Sequence, residues 1–353
     1  MLQPGPMEVS METTSATGAA TAAPKHVTLG LDREQLLELY ATMLQARMLD
    51  QKMWVLNRQG KAAFVISCQG QEAAQVGSAY ALDRHKDFFL PYYRDLGVVL
   101  VQGMTMREVM LGVFARRDDP SSGGRQMPAH WGSRARRIIT QSSVVATQLP
   151  HCAGLGLSFK IKGQDAVAIT YLGEGSTSQG DFHEALNWAG VHKLPCIFVV
   201  ENNRYAITEP QEKQMAIRDV ADRAAGYGLP GVVVDGNDVL AVYEVTKEAA
   251  RRARAGEGAT LIEAKTYRLV PHSSDDNDRR YRTAEEVEEW RRRDPIDRFK
   301  SYLLAQGVLD EDADSALRAR IRAAVDQATE EAQRAAAPAA SDLLRHVYAE
   351  HTE

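Results

Sequence analysis

The stretch Asp165–Ile207, DAVAITYLGEGSTSQGDFHEALNWAGVHKLPCIFVVENNRYAI, decides the fold. An apolar run, Ala166 to Leu172, ends in Gly173-Glu174-Gly175, and a polar turn follows. Phe182, Ala185, Leu186 and Ala189 then recur at helical spacing, and a second apolar run, Ile197 to Val200, ends in Glu201-Asn202-Asn203. This is strand, turn, helix, strand, and the right-handed crossover such units adopt makes the two strands parallel. In a parallel sheet flanked by helices, ligands bind beyond the carboxyl ends of the strands, where Glu174 and Asn203 fall.

The turn itself narrows the ligand. Gly173 and Gly175 allow close backbone approach, and Ser176, Thr177 and Ser178 are expected to cap the following helix, whose amino end attracts a diphosphate. A dinucleotide fingerprint is excluded, because Ser178 occupies its third glycine position, and so is a Walker loop, because no Gly-Lys-Ser/Thr occurs in the turn. What remains is a carboxylate at Glu174 and amide oxygens at Asn202 and Asn203. Hard oxygen donors on two neighbouring strand ends suit Mg2+ or Ca2+ held partly by the phosphates of a bound cofactor.

Working outward, a chain of 353 residues, 44% hydrophobic and 25% charged, has ample material for a core. The net charge of -5 argues against nucleic acid or an anionic membrane as partner, and no window approaches the apolar length of a membrane-spanning helix. Cys68, Cys152 and Cys196 lack metal-binding spacing and read as reduced core residues of a cytoplasmic protein. Residues 1–28, rich in Thr, Ala, Ser, Gly and Pro, lack both an apolar h-region and arginine and read as a disordered or arm-like tail.

Asp32 is positioned to cap a long helix to about Arg58, with Leu36, Leu37, Tyr40, Leu44, Met48 and Met53 on one face. Gly70 to Leu82 and Tyr93 to Ala115 are expected to be helical, with an aromatic segment Phe88 to Arg94 entering the second. Composition leaves Arg94 open between a surface ion pair and, with Tyr93, a contact to phosphate. The irregular Ser121 to Gly132 contains His130, which reads as an acid or base or as a structural loop histidine. Thr140 to Gln148 offers neutral oxygens for a monovalent cation or ligand, or equally a helix N-cap. Val232–Val234 and Thr260–Lys265 read as further strands around a helix Val239–Ala255. The polar loop Leu269–Arg280 follows, and then helices at 284–292, 295–306 and 310–337.

A Gly-acid-Gly turn followed, after residues 176–201, by an Asn-Asn pair is similar to the metal and diphosphate motif of the thiamine diphosphate-binding fold. The continuation Glu201-Asn202-Asn203-Arg204-Tyr205-Ala206-Ile207 resembles the α subunit of the E1 component of 2-oxo acid dehydrogenase complexes. The resemblance spans roughly 30–350 and includes Gly70-Gln71-Glu72-Ala73, Tyr93-Arg94-Asp95, Gly124-Arg125-Gln126-Met127-Pro128, Ala146-Thr147-Gln148, Tyr267-Arg268, Pro271 to Asp276 and Tyr281-Arg282. It implies an α/β fold, a parallel sheet flanked by helices with helical N- and C-terminal extensions (the last from about 283 to 353).

The same resemblance implies roles. Glu174, the side chain of Asn203 and the carbonyl of Tyr205 would hold Mg2+. Tyr93, Arg94, Arg268 and His272 would surround the diphosphate and reacting face, with Gly173, Gly175, Ser176, Thr177, Ala206 and Ile207 beside them. Phe64, Tyr93, Ser143 and the loop Met127, Pro128, Ala129, His130 fall at substrate and cofactor contacts, and Val144 and Val145 near the apolar support of the bent cofactor. Ser142, Thr147 and Gln148 fall in the potassium (K+) loop of some members. His272, Ser143 and His130 are the candidate catalytic groups. Two departures stand out: Glu174 replaces a commoner Asp, and Glu201 stands where some relatives direct an Arg at the phosphates.

As partners, the resemblance implies an E1 β subunit in an α2β2 heterotetramer, which supplies the glutamate that activates the cofactor, and the lipoyl domain of the E2 acyltransferase, which docks near the loop around His272. The substrate implied is a small 2-oxo acid. The character of Gly124 to His130 and of His272 to Asp276 favours a branched-chain acid over pyruvate, with acetoin cleavage or a non-catalytic fold relative as remoter readings.

Overall fold

A computed structural model describes residues 23–345 and 347. Of the tail expected over residues 1–28, residues 1–22 lie outside the described residues, and the described remainder is not irregular but enters a short helix, α1 (Lys25–Leu29). Asp32 then starts α2 (Arg33–Arg58): its side chain accepts from the Gln35 amide at 2.9 Å while Gln35 Oε1 accepts from the Asp32 amide at 3.0 Å. Such a capping box contributes about 1 kcal/mol. Leu36, Leu39, Met43 and Leu49, all at 0% exposure, each contribute roughly 1.5–3 kcal/mol by burial. Packing, not the cap, therefore dominates the stability of α2.

After α3 (Glu72–Tyr80), Phe88–Leu90 forms strand β1, which the aromatic character of that segment did not announce. The expected single helix 93–115 is two, α4 (Leu96–Val101) and α5 (Met106–Val113). Gly103, at φ +85°, turns the chain out of the first, and Thr105 with Glu108 caps the second. Then follow α6 (Gln148–Lys162), β2 (Ala168–Gly173), a 3-10 turn at Glu174–Ser178, α7 (Gly180–His192) and β3 (Cys196–Asn202). A small hairpin, β4 (Tyr205–Ala206) and β5 (Glu209–Pro210), leads through α8 (Gln211–Gln214) to β6 (Gly231–Asp235), α9 (Val239–Arg254) and β7 (Thr260–Lys265). Helices α10 (Ala284–Arg291), α11 (Pro295–Ala305) and α12 (Glu311–Arg334) complete the described chain, with Asp294 capping α11 just before Pro295.

The five long strands form one parallel sheet in the order β1-β2-β3-β7-β6. Because strand side chains alternate between faces, Ala168, Leu172, Phe198 and Val200 meet α6 and α7, whereas Val167, Ile169, Ile197 and Val199 meet α3 and α9. A third cluster joins α2 to α5, α11 and α12, so the terminal helices pack on one another beside the sheet. No helix among the described residues is long and apolar enough to cross a membrane.

Candidate functional site

Four neighbouring strands deliver the site from their carboxyl ends. β1 runs into a tight turn in which the Tyr92 amide donates to Asp95 Oδ2 at 2.7 Å, presenting Tyr93 and Arg94. β2 ends at Gly173-Glu174, β3 at Asn203, and β7 leads through Tyr267 to Arg268. These ends enclose a cavity of about 180 Å3, which also takes in Tyr92, Val145, Gly175, Ser176, Tyr205, Ala206, Ile207 and His272.

One wall is basic. Arg94 is 2% exposed and Arg268 0%, and neither has a carboxylate within salt-bridge distance among the described residues. The surface-ion-pair reading of Arg94 therefore fails. Arg94 Nη1 donates to the Ser67 carbonyl at 2.5 Å, while Arg268 donates to the carbonyls of Tyr205 (3.2 Å) and Ile207 (2.7 Å) and to the Tyr281 hydroxyl (2.9 Å). The Nε of each arginine is buried without a partner. A buried, unneutralised cation is costly. Two side by side form a wall that favours an anion, and planar guanidinium forks match phosphate oxygens.

His272 lies between them. Its Nδ1 faces Arg94 Nη2 at 3.3 Å and Arg268 Nη1 at 3.4 Å. A guanidinium only donates, so Nδ1 must accept, and the ring proton of neutral His272 is on Nε2. Burial, then the charges of Arg94 and Arg268, push its pKa from 6.5 down to about 3. The His272 amide donates to Asp276 Oδ2 at 2.7 Å, and the Tyr281 hydroxyl donates to the same oxygen at 2.5 Å. The loop is tied down further by the Ser274 amide, which donates to the Val65 carbonyl at 2.9 Å.

The same lining also carries oxygen donors. Glu174, 1% exposed, accepts from the Asn203 amide at 3.2 Å through Oε2, and its Oε1 is buried without a partner. Burial raises its pKa above the usual carboxylate range, and a bound cation would reverse that effect. Asn203 donates through Nδ2 to Gln71 Oε1 at 3.2 Å. Asn202 faces away, donating to Glu263 and Gln211, so of the two asparagines only Asn203 serves the cavity. Among the described residues no cluster of three or more His, Cys, Asp or Glu side chains is disposed to hold a metal alone. One carboxylate and one carboxamide would leave a hard cation to complete its shell with ligand oxygens and backbone.

The two glycines of the turn differ. A Cβ on Gly173 would meet nothing within 4 Å, whereas one on Gly175 would lie 2.4 Å from Ala206 Cβ. Gly173 leaves room in the cavity, and Gly175 lets the turn pack on β4. The expected cap by Ser176, Thr177 and Ser178 is not formed. These residues lie within the 3-10 turn, Thr177 Oγ1 donates to the Glu174 carbonyl at 2.6 Å, and α7 starts one residue beyond Gln179 with no side-chain cap.

The remaining candidates are not among the residues lining this cavity. Phe64 is half-buried in the segment before Gly70; Met127 and Val144 are exposed, and Pro128 and Ala129 lie beside them. His130 Nδ1 meets the Pro128 carbonyl at 3.3 Å and its Nε2 is hydrogen-bonded to Ser143 Oγ, so the two form a pair of their own. Of the potassium-loop residues, Ser142 Oγ accepts from the Val144 amide at 2.9 Å, Thr147 Oγ1 donates to the Val144 carbonyl at 3.1 Å, and Gln148 Nε2 donates to the Tyr171 carbonyl at 2.7 Å. Thr147 makes no side-chain cap to α6, so the N-cap alternative is not realised. Tyr92, Gln71, Asp276 and Tyr281 hold or line the site without having been assigned to it. Tyr92 and Gln71 take part through hydrogen bonds to Glu201 and Asn203, far along the chain, for which a local pattern gives no signal, whereas Asp276 and Tyr281 act within the His272 loop, four and five residues apart from their partners.

Glu201 does not turn toward the cavity. It is fully buried, its Oε2 accepts from Gln75 Nε2 (3.2 Å) and the Tyr92 hydroxyl (3.1 Å), and its Oε1, like Asp95 Oδ1, is buried without a partner. Burial raises the pKa of both carboxyls, and the charge of Glu201 raises that of Asp95 further.

Comparison with known proteins agrees with this architecture. The chain is 53% identical over 325 residues to the 2-oxoisovalerate dehydrogenase subunit alpha of Bacillus subtilis (strain 168), covering 92% of this chain and 98% of that protein. It is 41% identical over 319 residues to a pyruvate dehydrogenase E1 component subunit alpha of Staphylococcus aureus (strain Mu50), covering 90% and 83%. A Staphylococcus epidermidis protein of the same description is 41% identical over 321 residues, covering 91% and 84%. The model of the dehydrogenase E1 component family matches residues 40–341, and the chain belongs to that family.

Proposed function

We propose that this chain is the α subunit of the E1 decarboxylase of a branched-chain 2-oxo acid dehydrogenase complex. It would act on 3-methyl-2-oxobutanoate and related acids and pass the acyl group to the lipoyl group of E2. The observation that carries the reading is that Arg94, His272 and Arg268 line one cavity together with Glu174 and Asn203. Orphaned cationic nitrogens, an orphaned carboxylate oxygen and the space beside Gly173 fit a metal-bound diphosphate.

Thiamine diphosphate, when bound, supplies the electron sink for the carbanion left by decarboxylation, which no side chain provides. The residues of the chain do the rest. Arg94 and Arg268 would hold the diphosphate, and Glu174 and Asn203 Oδ1 would hold Mg2+, joined by the Tyr205 carbonyl, which in this structure accepts from Arg268. Val145 would support the apolar part of the cofactor. His272, neutral with its proton on Nε2, presents a donor beside the reacting face. Phe64, Met127, Pro128, Ala129 and the His130–Ser143 pair form the substrate rim.

The activating glutamate would come from a β subunit in an α2β2 heterotetramer, so the chain alone is inactive. A cytoplasmic location is in keeping with three cysteines that are all free and buried. The branched-chain assignment rests on the higher identity to the Bacillus subtilis protein, and pyruvate is the second reading, carried by the Staphylococcus relatives. Initial rates on the complex reconstituted with β and E2 decide between them. The proposal expects 3-methyl-2-oxobutanoate to exceed pyruvate and acetoin in kcat/KM, and equal or better use of pyruvate would overturn it.

A further inference from the structure

Beneath the cavity, the amino end of α3 meets the carboxyl end of β3 through two matched pairs of polar side chains. Gln71, the residue before α3, accepts from Asn203 Nδ2 at 3.2 Å, and Gln75, one turn later, donates to Glu201 Oε2 at 3.2 Å. Residues four apart on a helix share a face and rise about 6 Å. Residues two apart on an extended strand share a face and advance about 6.6 Å. Gln71 directly precedes α3 and Asn203 directly follows β3, so these spacings hold approximately across the two rungs, and both bonds are formed. Gln71, Gln75 and Glu201 are at 0% exposure and Asn203 at 4%, so no water competes for these bonds.

Each rung supports a different wall. In the first, the amide of Asn203 is committed to Gln71, which turns Asn203 Oδ1 away from that partner. The backbone on either side of Gln71 is held, because the Gly70 amide donates to Glu72 Oε2 at 2.8 Å while Arg47 Nε holds Glu72 Oε1 at 2.5 Å, and Gln71 Nε2 is buried without a partner, so Asn203 is the one side-chain partner of Gln71 among the described residues. In the second, the Gln75 amide group is fully engaged. Nε2 also donates to the Arg94 carbonyl at 3.1 Å, Oε1 accepts from the Gly97 amide at 3.0 Å, and the Tyr92 hydroxyl joins the same Glu201 oxygen. This rung locks the turn from which Arg94 enters the basic wall.

We propose that the Gln71–Asn203 and Gln75–Glu201 rungs form an amide ladder that sets the spacing of the cation side of the site against its phosphate side, with Gln71 and Gln75 as positioning residues. The inference rests on the reading of the cavity as a thiamine diphosphate site. Because the rungs support different walls, they have separable readouts. In the assembled αβ enzyme, Gln71→Met keeps the side-chain length but removes the acceptor for Asn203. Calorimetric titration should then show about a tenfold or greater rise in the Mg2+ needed for cofactor uptake, the scale of effect seen when a group that orients a metal ligand is lost. Cofactor affinity at saturating Mg2+ should change little.

Gln75→Met should do the reverse, weakening thiamine diphosphate at saturating Mg2+ by about tenfold with an unchanged Mg2+ dependence. Glu201→Gln retains the rung, since its carboxamide oxygen accepts from Gln75 and Tyr92, and it should bind cofactor as the parent does. The ladder is overturned if both Met variants bind as the parent does, if both readouts fall together in each variant, or if Glu201→Gln is as damaging as Gln75→Met. A parent assembly that takes up no thiamine diphosphate overturns the underlying reading of the site instead.

Discussion

His272 shows how far neighbours can move a single side chain. Its sequence context, beside Asp275, Asp276 and Asp278, suggests a histidine surrounded by carboxylates. The fold instead turns the ring toward Arg94 and Arg268 and leaves only the backbone amide to Asp276. The sign of the pH effect follows. With a folded pKa of about 3 against 6.5 in the unfolded chain, the unfolded state binds the extra proton between those values. The burial of His272 therefore costs nothing above pH 6.5 and destabilises the fold increasingly as pH falls through that window. In the cofactor-free protein, the ring carbon resonance of His272 should report a neutral imidazole at about pH 5, well below the ordinary midpoint. A midpoint near 6.5 would contradict this arrangement. An anion bound at the two guanidiniums should move the midpoint upward. Glu174 and Asn203 were legible because each sits at a strand end inside a recognisable motif. Tyr92 and Gln71 were not, because what makes them part of the site is a partner far along the chain.

Among the elements, the turn joining β2 to α7 separates two demands that the sequence presents as one. Gly173 has extended backbone, φ -80° and ψ 161°, and open space at its Cβ position, so its lack of a side chain matters to the ligand and not to the chain. Gly175 is a packing residue, with Ala206 Cβ only 2.4 Å from where a Cβ would stand. Gly173→Ala should leave the thermal midpoint of the αβ assembly unchanged within error while weakening cofactor binding. Gly175→Ala should lower the midpoint, since overpacking costs about 1–3 kcal/mol. The reverse pattern in a thermal-shift and binding series would refute the distinction. The strands β2 and β3 were readable from their apolar runs, whereas β1 has three residues and no periodicity to detect. The break between α4 and α5 was masked by continuous apolar character, although Gly103 and the Thr105–Glu108 pair carry its cause.

At the scale of the molecule, sheet order does the assembling. With β1, β2, β3 and β7 adjacent and parallel, their carboxyl ends converge although Arg94, Glu174, Asn203 and Arg268 are distant in sequence. Strand patterns predict that such a convergence exists but not the strand order, so the basic wall could be assigned only by resemblance until the fold was in view. Met127, Ser143 and Val144 are exposed, and Pro128, Ala129 and His130 are half-buried. In the proposed function, this chain holds the metal-diphosphate end of a cofactor whose activation comes from another subunit. That assignment is tested most directly by calorimetric titration of the αβ assembly with thiamine diphosphate and, separately, with thiamine, each with and without Mg2+. The account predicts Mg2+-dependent uptake of thiamine diphosphate and no comparable uptake of thiamine. Equal binding of the two, or binding of thiamine diphosphate that ignores Mg2+, would contradict it.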